Sequence, residues 1–415
     1  MNTANSEHSL AEMQDLDSPP APENTDNSPS LLAHLAVFCA AMGGFMALYC
    51  TQAIYPALKS LYGISVAQAG ALLTATTLGL ALAAPFAGAV TKKWGARPAV
   101  IGGILALAST ALMLAFVHSA NQLFAVRLLQ GLLIPVVLSA MLASMGSLWS
   151  GRHALSISAT YVTGTVLGGI VGRFLPGFLF PFAGWTGSFV AFAVLQAALV
   201  PAVYFFYPRV SQALSDRATH TNSSQFWRSV RASLGATSIA GFLLLFTQAA
   251  ITTYIAIRFS SAPYEWSTGS LGLLYAVFLP ALIFVRLTPK FVSRFGSSKS
   301  LLGAAILAWV GLTLTAFSAP SIIITGMVIF AISVFVCQTV LAHLVGAAKT
   351  GNKEVGAGVY LCCYYLGGSV GALAPALLWD RWRWHGCLLL VAGVQLAAGV
   401  AFLISHQKGK NRTDV

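Results

Sequence analysis

The chain has 415 residues, 57% of them hydrophobic and only 8% charged, with a mean hydropathy of +0.77. A soluble protein of this length needs a far more charged surface to stay dispersed. Repeated apolar runs, each near the ~20 residues that cross a ~30 Å hydrocarbon layer as a helix, account for the composition, and being apolar on every face they exclude a transmembrane barrel.

In chain order, residues 1–30 come first. They hold Glu7, Glu12, Asp15, Asp17, Glu23 and Asp26, no Lys or Arg, and several prolines. Too little apolar surface is present to offset the entropy of ordering, which predicts a disordered acidic cytoplasmic tail rather than a signal peptide with a positive start. Twelve spans follow, near 32–54, 66–90, 99–117, 121–143, 154–178, 187–207, 236–258, 269–287, 300–318, 322–346, 355–378 and 386–404. They divide into an N-terminal six-helix half (31–207), a cytoplasmic linker (208–235), a C-terminal six-helix half (236–405) and a short basic cytoplasmic tail (406–415). Most of the Lys and Arg residues fall on the side of the tails and linker, among them Lys92, Lys93, Arg97, Lys290, Arg294 and Lys299. The positive-inside rule therefore predicts both termini in the cytoplasm. A net charge of +12 is thus a matter of orientation, and no nucleic-acid partner is expected.

The halves resemble each other. YVTGTVLGGIVGRFLPGFL (161–179) matches YLCCYYLGGSVGALAPALL (360–378) at an offset of 199, and KKWGA (92–96) matches SRFGS (293–297) at 201. Two related six-helix units in parallel repeat are the plan of a secondary transporter.

These residues carry a family resemblance. The loop after span two reads GAVTKKWGAR, from Gly88 through Gly95 to Arg97; span four contains Arg127, Gln130 and Gly131 in an R-x-x-Q-G pattern; span five has Gly164, Gly168, Gly169 and Gly172 followed by Arg173. Together they resemble the major facilitator superfamily, and LYCTQAIYPAL (48–58) and VYLCCYYLGGSVG (359–371) resemble its YnfM-type branch of bacterial inner-membrane transport proteins. The resemblance implies an all-α fold of twelve transmembrane helices in two pseudo-symmetric halves. It also implies a multi-pass protein of the inner membrane that exports sugars, drugs or related small molecules, linked to protons. One departure stands out: Lys92 occupies the loop's usual acidic position, and a lysine cannot accept the hydrogen bonds that a carboxylate accepts there.

Inside the spans, Gly164, Gly168 and Gly172 share one helix face, as do Gly367 and Gly371, with Gly368 beside them. Such a face lets another helix approach closely, either as fixed packing or as a surface on which the halves rock. Arg127 and Arg173 lie within spans, where an arginine costs at least ~2.5–3.5 kcal/mol and is normally paired or faces a wet cavity. Beyond the tail the carboxylates are Asp216, Glu265, Glu354, Asp380 and Asp414, none deep in a span. Backbone carbonyls, Tyr161, Gln130, water or an anionic substrate are then the available partners. Arg127, with Arg173 second, is expected to favour anionic or strongly polar substrates. Tyr49, Gln52, Gln248, Thr252, Tyr254 and Gln338 offer hydrogen bonds on cavity-facing spans, and His343 is the candidate for proton loading.

No metal-ligand spacing, nucleophile with its base, or phosphate-cradling loop is visible, so the expectation is a non-enzymatic transporter without cofactor or metal. Its expected partners are a small-molecule substrate, the lipid bilayer and protons, and it is expected to act as a monomer. Two alternatives stay open: a facilitated uniporter or importer of an anionic metabolite without proton coupling, and a membrane receptor or scaffold.

Overall fold

The computed structural model describes residues 28–149, 151–208, 223–347 and 353–410. The acidic tail over 1–27, much of the linker (209–222) and residues 411–415 lie outside the described residues.

All regular structure described is helical. The first half comprises α1 (Leu31–Tyr49), α2 (Tyr55–Tyr62), α3 (Val66–Trp94), α4 (Ala96–Ala115), α5 (Ala120–Leu148), α6 (Gly151–Ala198) and α7 (Val200–Phe206). The second comprises α8 (Ser223–Ser260), α9 (Thr268–Leu274), a 3-10 turn (Tyr275–Phe278), α10 (Ala281–Phe295), α11 (Ser297–Leu314), α12 (Pro320–Ala347), α13 (Lys353–Leu373) and α14 (Ala376–Lys410). Nine stretches are long and apolar enough to span a bilayer, and α13 with α14 forms a further pair bent by 80°. One of the nine, Ser156–Phe206, has 51 residues and folds back at Gly184, so it supplies two crossings; the bent pair supplies two more, which makes twelve. Helix α8 begins at Ser223, inside the stretch read from sequence as linker, and α14 runs on to Lys410 through most of the expected basic tail. Neither extension breaks its backbone ladder, because no proline interrupts 223–235 or 400–410.

The repeat is written in the backbone. Among the described residues six have positive φ, and they form three pairs: Gly63 with Glu265, Gly95 with Gly296, and Gly184 with Arg383. Their offsets are 202, 201 and 199, within one residue of the 199 and 201 of the sequence repeat. Gly95 and Gly296 are near duplicates, at φ 86, ψ 158 and φ 80, ψ 161. Each pair terminates equivalent helices at the same membrane face. We call the face carrying Ser30, Lys92 and Lys299 the basic face, and the one carrying Gly63, Gly184 and Arg383 the far face.

Close helix approach relies on glycine. A Cβ on Gly164 would sit 2.7 Å from the Phe38 carbonyl oxygen and one on Gly168 2.5 Å from that of Met42; Gly172 likewise abuts Met46. In the second half Gly367 and Gly371 abut the Phe242 and Phe246 carbonyls. The glycine faces thus seal α6 to α1 and α13 to α8 within each half. Of the two readings offered by the sequence, fixed packing fits Gly164, Gly168, Gly172, Gly367 and Gly371, whose side of the helix is filled by a same-half backbone, while a Cβ on Gly368 would also lie within 3.6 Å of Thr77 in the other half.

Contact between the halves is made toward the far face. There Gly70 of α3 meets the Ala372 carbonyl, and Gly177 of α6 lies where a Cβ would be 2.6 Å from the Thr268 carbonyl of α9. Thr74 Oγ1 donates to the Ser369 carbonyl at 2.7 Å, and the Thr77 and Ser369 hydroxyls are 2.9 Å apart.

Candidate functional site

Two prolines shape the centre of the molecule. Pro56 has no N–H for the Gln52 carbonyl and its ring crowds that carbonyl, so span one breaks between α1 and α2. Pro280 acts likewise in span eight, where α9 gives way to the 3-10 turn before α10 resumes. The first break leaves carbonyls without donors, and the second turns the rings of Tyr275 and Phe278 toward the first half.

Arg127 is fully buried and answers the first break. The Gln52 N–H bonds the Tyr49 carbonyl at 3.1 Å, so the Leu48 carbonyl loses its helical donor. Arg127 Nη2 donates to Leu48 O at 2.5 Å, and Nη1 donates to Ala47 O at 2.6 Å and Gln130 Oε1 at 2.5 Å. Arg127 and Gln130 do not line the central cavity. Arg127 bonds the end of a broken helix, and Gln130 accepts from Arg127.

Arg173 sits between the halves, 2% exposed. Its Nε donates to Gln52 Oε1 at 2.7 Å and its Nη1 to the Gly169 carbonyl at 2.9 Å. The guanidinium carbon lies 3.6 Å from the centre of the Tyr49 ring, 4.7 Å from Tyr275 and 5.3 Å from Phe278. Desolvated cation–π contacts of this kind contribute about 2 kcal/mol. Gln52 Nε2 in turn donates to Thr253 Oγ1 in α8 at 2.9 Å, and Tyr275 donates to the Thr252 carbonyl at 2.7 Å. Among the described residues no carboxylate touches either arginine. Tyr161, considered as a partner from sequence, bonds neither.

Arg173 faces a cavity of about 30 Å³ lined from both halves, by Tyr49, Thr165 and Gly169 on one side and Gln248, Phe278, Gln338 and Tyr364 on the other. That volume holds a water molecule or two. Two polar atoms in its wall are buried without partners, Arg173 Nη2 and Gln248 Oε1. One residue of the wall thus holds a spare donor and another a spare acceptor. The rings of Tyr360, Tyr364 and Tyr365 pack in one cluster with Tyr49, Tyr161, Phe38 and Phe45.

The structure thus brings together Tyr49, Gln52, Arg173 and Gln338 of the expected site. Tyr254 is buried elsewhere, its ring 5.2 Å from that of Trp379. His343 belongs to α12, with its side chain outside the described residues. Gly88 and Gly95 stand at the basic end of α3, away from the cavity; Gly131 packs on the Thr76 backbone, and Gly169 lies under the Arg173 guanidinium. Lys92 is exposed in the last turn of α3, while Arg97 of the same loop donates to the Tyr204 carbonyl. Sequence reasoning did not single out Tyr275, Phe278 or Arg286. The first two needed the Pro280 break to aim them. Arg286 was legible as a third basic residue within a span.

Comparison with known proteins now places this architecture. The Major Facilitator Superfamily model matches residues 35–372, and the chain belongs to that family. It is 24% identical over 368 residues to the uncharacterized MFS-type transporter YybF of Bacillus subtilis, covering 88% of this chain and 90% of that protein. It is 25% identical over 365 residues to the inner membrane transport protein YnfM of Escherichia coli, covering 86% of each. The fold superposes with a TM-score of 0.72 on a bacterial homolog of the human lysosomal transporter Spinster, crystallised in an inward-facing and occupied conformation. That match has 13% identity and covers 90% of this chain and 96% of the other. The protein is a multi-pass membrane transporter of a small solute.

Proposed function

We propose that the solute is a small organic anion with an aromatic or apolar body and at least one hydrogen-bond donor. The observation that carries this is that Arg173 and Gln248, with Nη2 and Oε1 buried and unpartnered, both line one aromatic-walled cavity. A carboxylate or phosphate oxygen accepts from the guanidinium, a hydroxyl or amine donates to the amide, and the rings cover the body. A sugar satisfies the acceptor and leaves the cation without a counter-charge.

Alternating access supplies the movement. Contacts at Gly70, Gly177 and Ser369 hold the halves together toward the far face, and the tyrosine cluster packs between them on the other side of the cavity, so solute reaches Arg173 only when one of these seams parts. The positive-inside rule assigns the basic face, with both termini, to the cytoplasm of the inner membrane. The relationship to the YnfM branch favours a proton-linked exporter acting as a monomer. A second reading, facilitated movement of the anion without protons, is favoured by the cavity lining, which contains no carboxylate among the described residues.

Purified protein in sealed liposomes tests both. Labelled aromatic carboxylates, with benzoate and 4-hydroxybenzoate first, are expected to cross without nucleotide, and Arg173→Gln to slow them at least about tenfold. Equal flux through Arg173→Gln, with a neutral sugar carried as well as the acids, would overturn the anion reading. Dependence of the flux on an imposed pH gradient separates the two coupling modes.

A further inference from the structure

A second and far larger space opens at the basic face. It measures about 440 Å³ and lies between α1, α6 and α10, with Leu31, Leu35 and Phe38 on its apolar side and His34, Thr160 and Arg286 on its polar side. Arg286 is exposed and has no hydrogen-bonding or aromatic partner among the described residues. It stands nine residues from the end of α10 at Phe295, roughly 14 Å along the helix axis. An arginine at that depth is tolerated where it faces water or a counter-charge. The fold does not require it, since the repeat-equivalent position at offset 201 is Pro85.

Across from it, His34 Nδ1 is 2.7 Å from Thr160 Oγ1, and the Thr160 hydroxyl donates to the Ser156 carbonyl at 3.3 Å. The crevice therefore offers one guanidinium, one imidazole and an apolar wall. A cation again stands beside an apolar wall, as in the central cavity, on other residues and at a scale that admits a whole solute molecule.

We infer that this crevice is a separate binding station for a free amphipathic organic anion, with Arg286 as its charged contact. The inference stands on the lining of the crevice itself and does not require the central cavity to hold an anion. A solute captured here is held before the tyrosine cluster at Tyr161 and Tyr360 parts to let it reach Arg173.

The test is equilibrium binding of radiolabelled 4-phenylbutyrate to the full chain in nanodiscs of zwitterionic lipid. Arg286→Gln is expected to weaken binding about tenfold, Arg286→Lys to restore most of it, and Arg173→Gln to leave the crevice population intact. A second readout does not depend on the behaviour of that variant. In a background with the native cysteines replaced, a cysteine at Thr163, which also lines the crevice, is expected to be protected from maleimide by 4-phenylbutyrate. Unchanged binding by Arg286→Gln, or no protection at position 163, overturns the inference. So does loss of wild-type binding when anionic phosphatidylglycerol replaces the zwitterionic lipid, because that outcome assigns the crevice to a lipid headgroup. If only Arg173→Gln abolishes binding, the crevice station is wrong and the central anion site stands.

Discussion

Arg173 and Gln52 form a hydrogen-bonded pair whose reach spans both halves of the transporter: the guanidinium donates to the amide oxygen at 2.7 Å, and the amide nitrogen donates onward to Thr253 at 2.9 Å. Substitution at Gln52 therefore acts on the cation and on the contact between halves together. Gln52→Glu keeps the acceptor and adds a counter-charge beside Arg173. Its melting temperature in detergent is expected to match or exceed wild type while anion uptake into liposomes falls at least about tenfold. Undiminished uptake by Gln52→Glu would show that the Arg173 charge does not act on the solute.

Arg127 is predicted to behave differently from Arg173. Arg127→Gln strips donors from the Ala47 and Leu48 carbonyls at a buried helix end. The expected cost is about 2–3 kcal/mol of stability, read as a lowered melting temperature and poor yield. The protein that does fold should keep its KM for solute within about twofold. A selective change in KM with no loss of stability would return Arg127 to the transport path.

The glycine seams make a packing prediction. Gly131→Ala drives a methyl into the Thr76 backbone, and Gly371→Ala drives one into that of Phe246. Neither neighbour is a side chain that can swing away, so each change should cost at least about 1–3 kcal/mol. Gly303→Ala meets open space inside α11 and serves as the control, expected to stabilise by up to about 1 kcal/mol through helix propensity alone. Thermal melts of the three variants in one detergent check the order.

The paired backbone elbows make another. Gly63 and Gly184 are glycine where the second half has Glu265 and Arg383, at φ 49 and φ 47. A side chain in the left-handed region costs about 1–2 kcal/mol, and the extra freedom of glycine in the unfolded chain offsets roughly half of that. Glu265→Gly and Arg383→Gly should each stabilise by about 0.5–1 kcal/mol, and Gly63→Ala should destabilise by a similar amount. Differential scanning fluorimetry resolves the signs.

Much of this molecule was written along the chain. Twelve apolar segments follow from hydropathy because lipid admits only helices with every backbone group satisfied, and the offset near 200 reappears in the φ angles of three residue pairs. The absence of a carboxylate near Arg127 and Arg173 was also countable, since so few acids lie beyond the tail. The roles of those two arginines were not legible. In one dimension they are equivalent, each a cation in an apolar run, and Arg127 carried the stronger motif. Their roles diverge through partners 80 and 121 residues away, Ala47 for one and Gln52 for the other. A break at Pro56 exposes carbonyls to Arg127, while helix phase and a second break at Pro280 close three aromatic rings around Arg173. Contacts made at such separation depend on helix rotation and on where prolines interrupt the ladder, which local sequence does not encode.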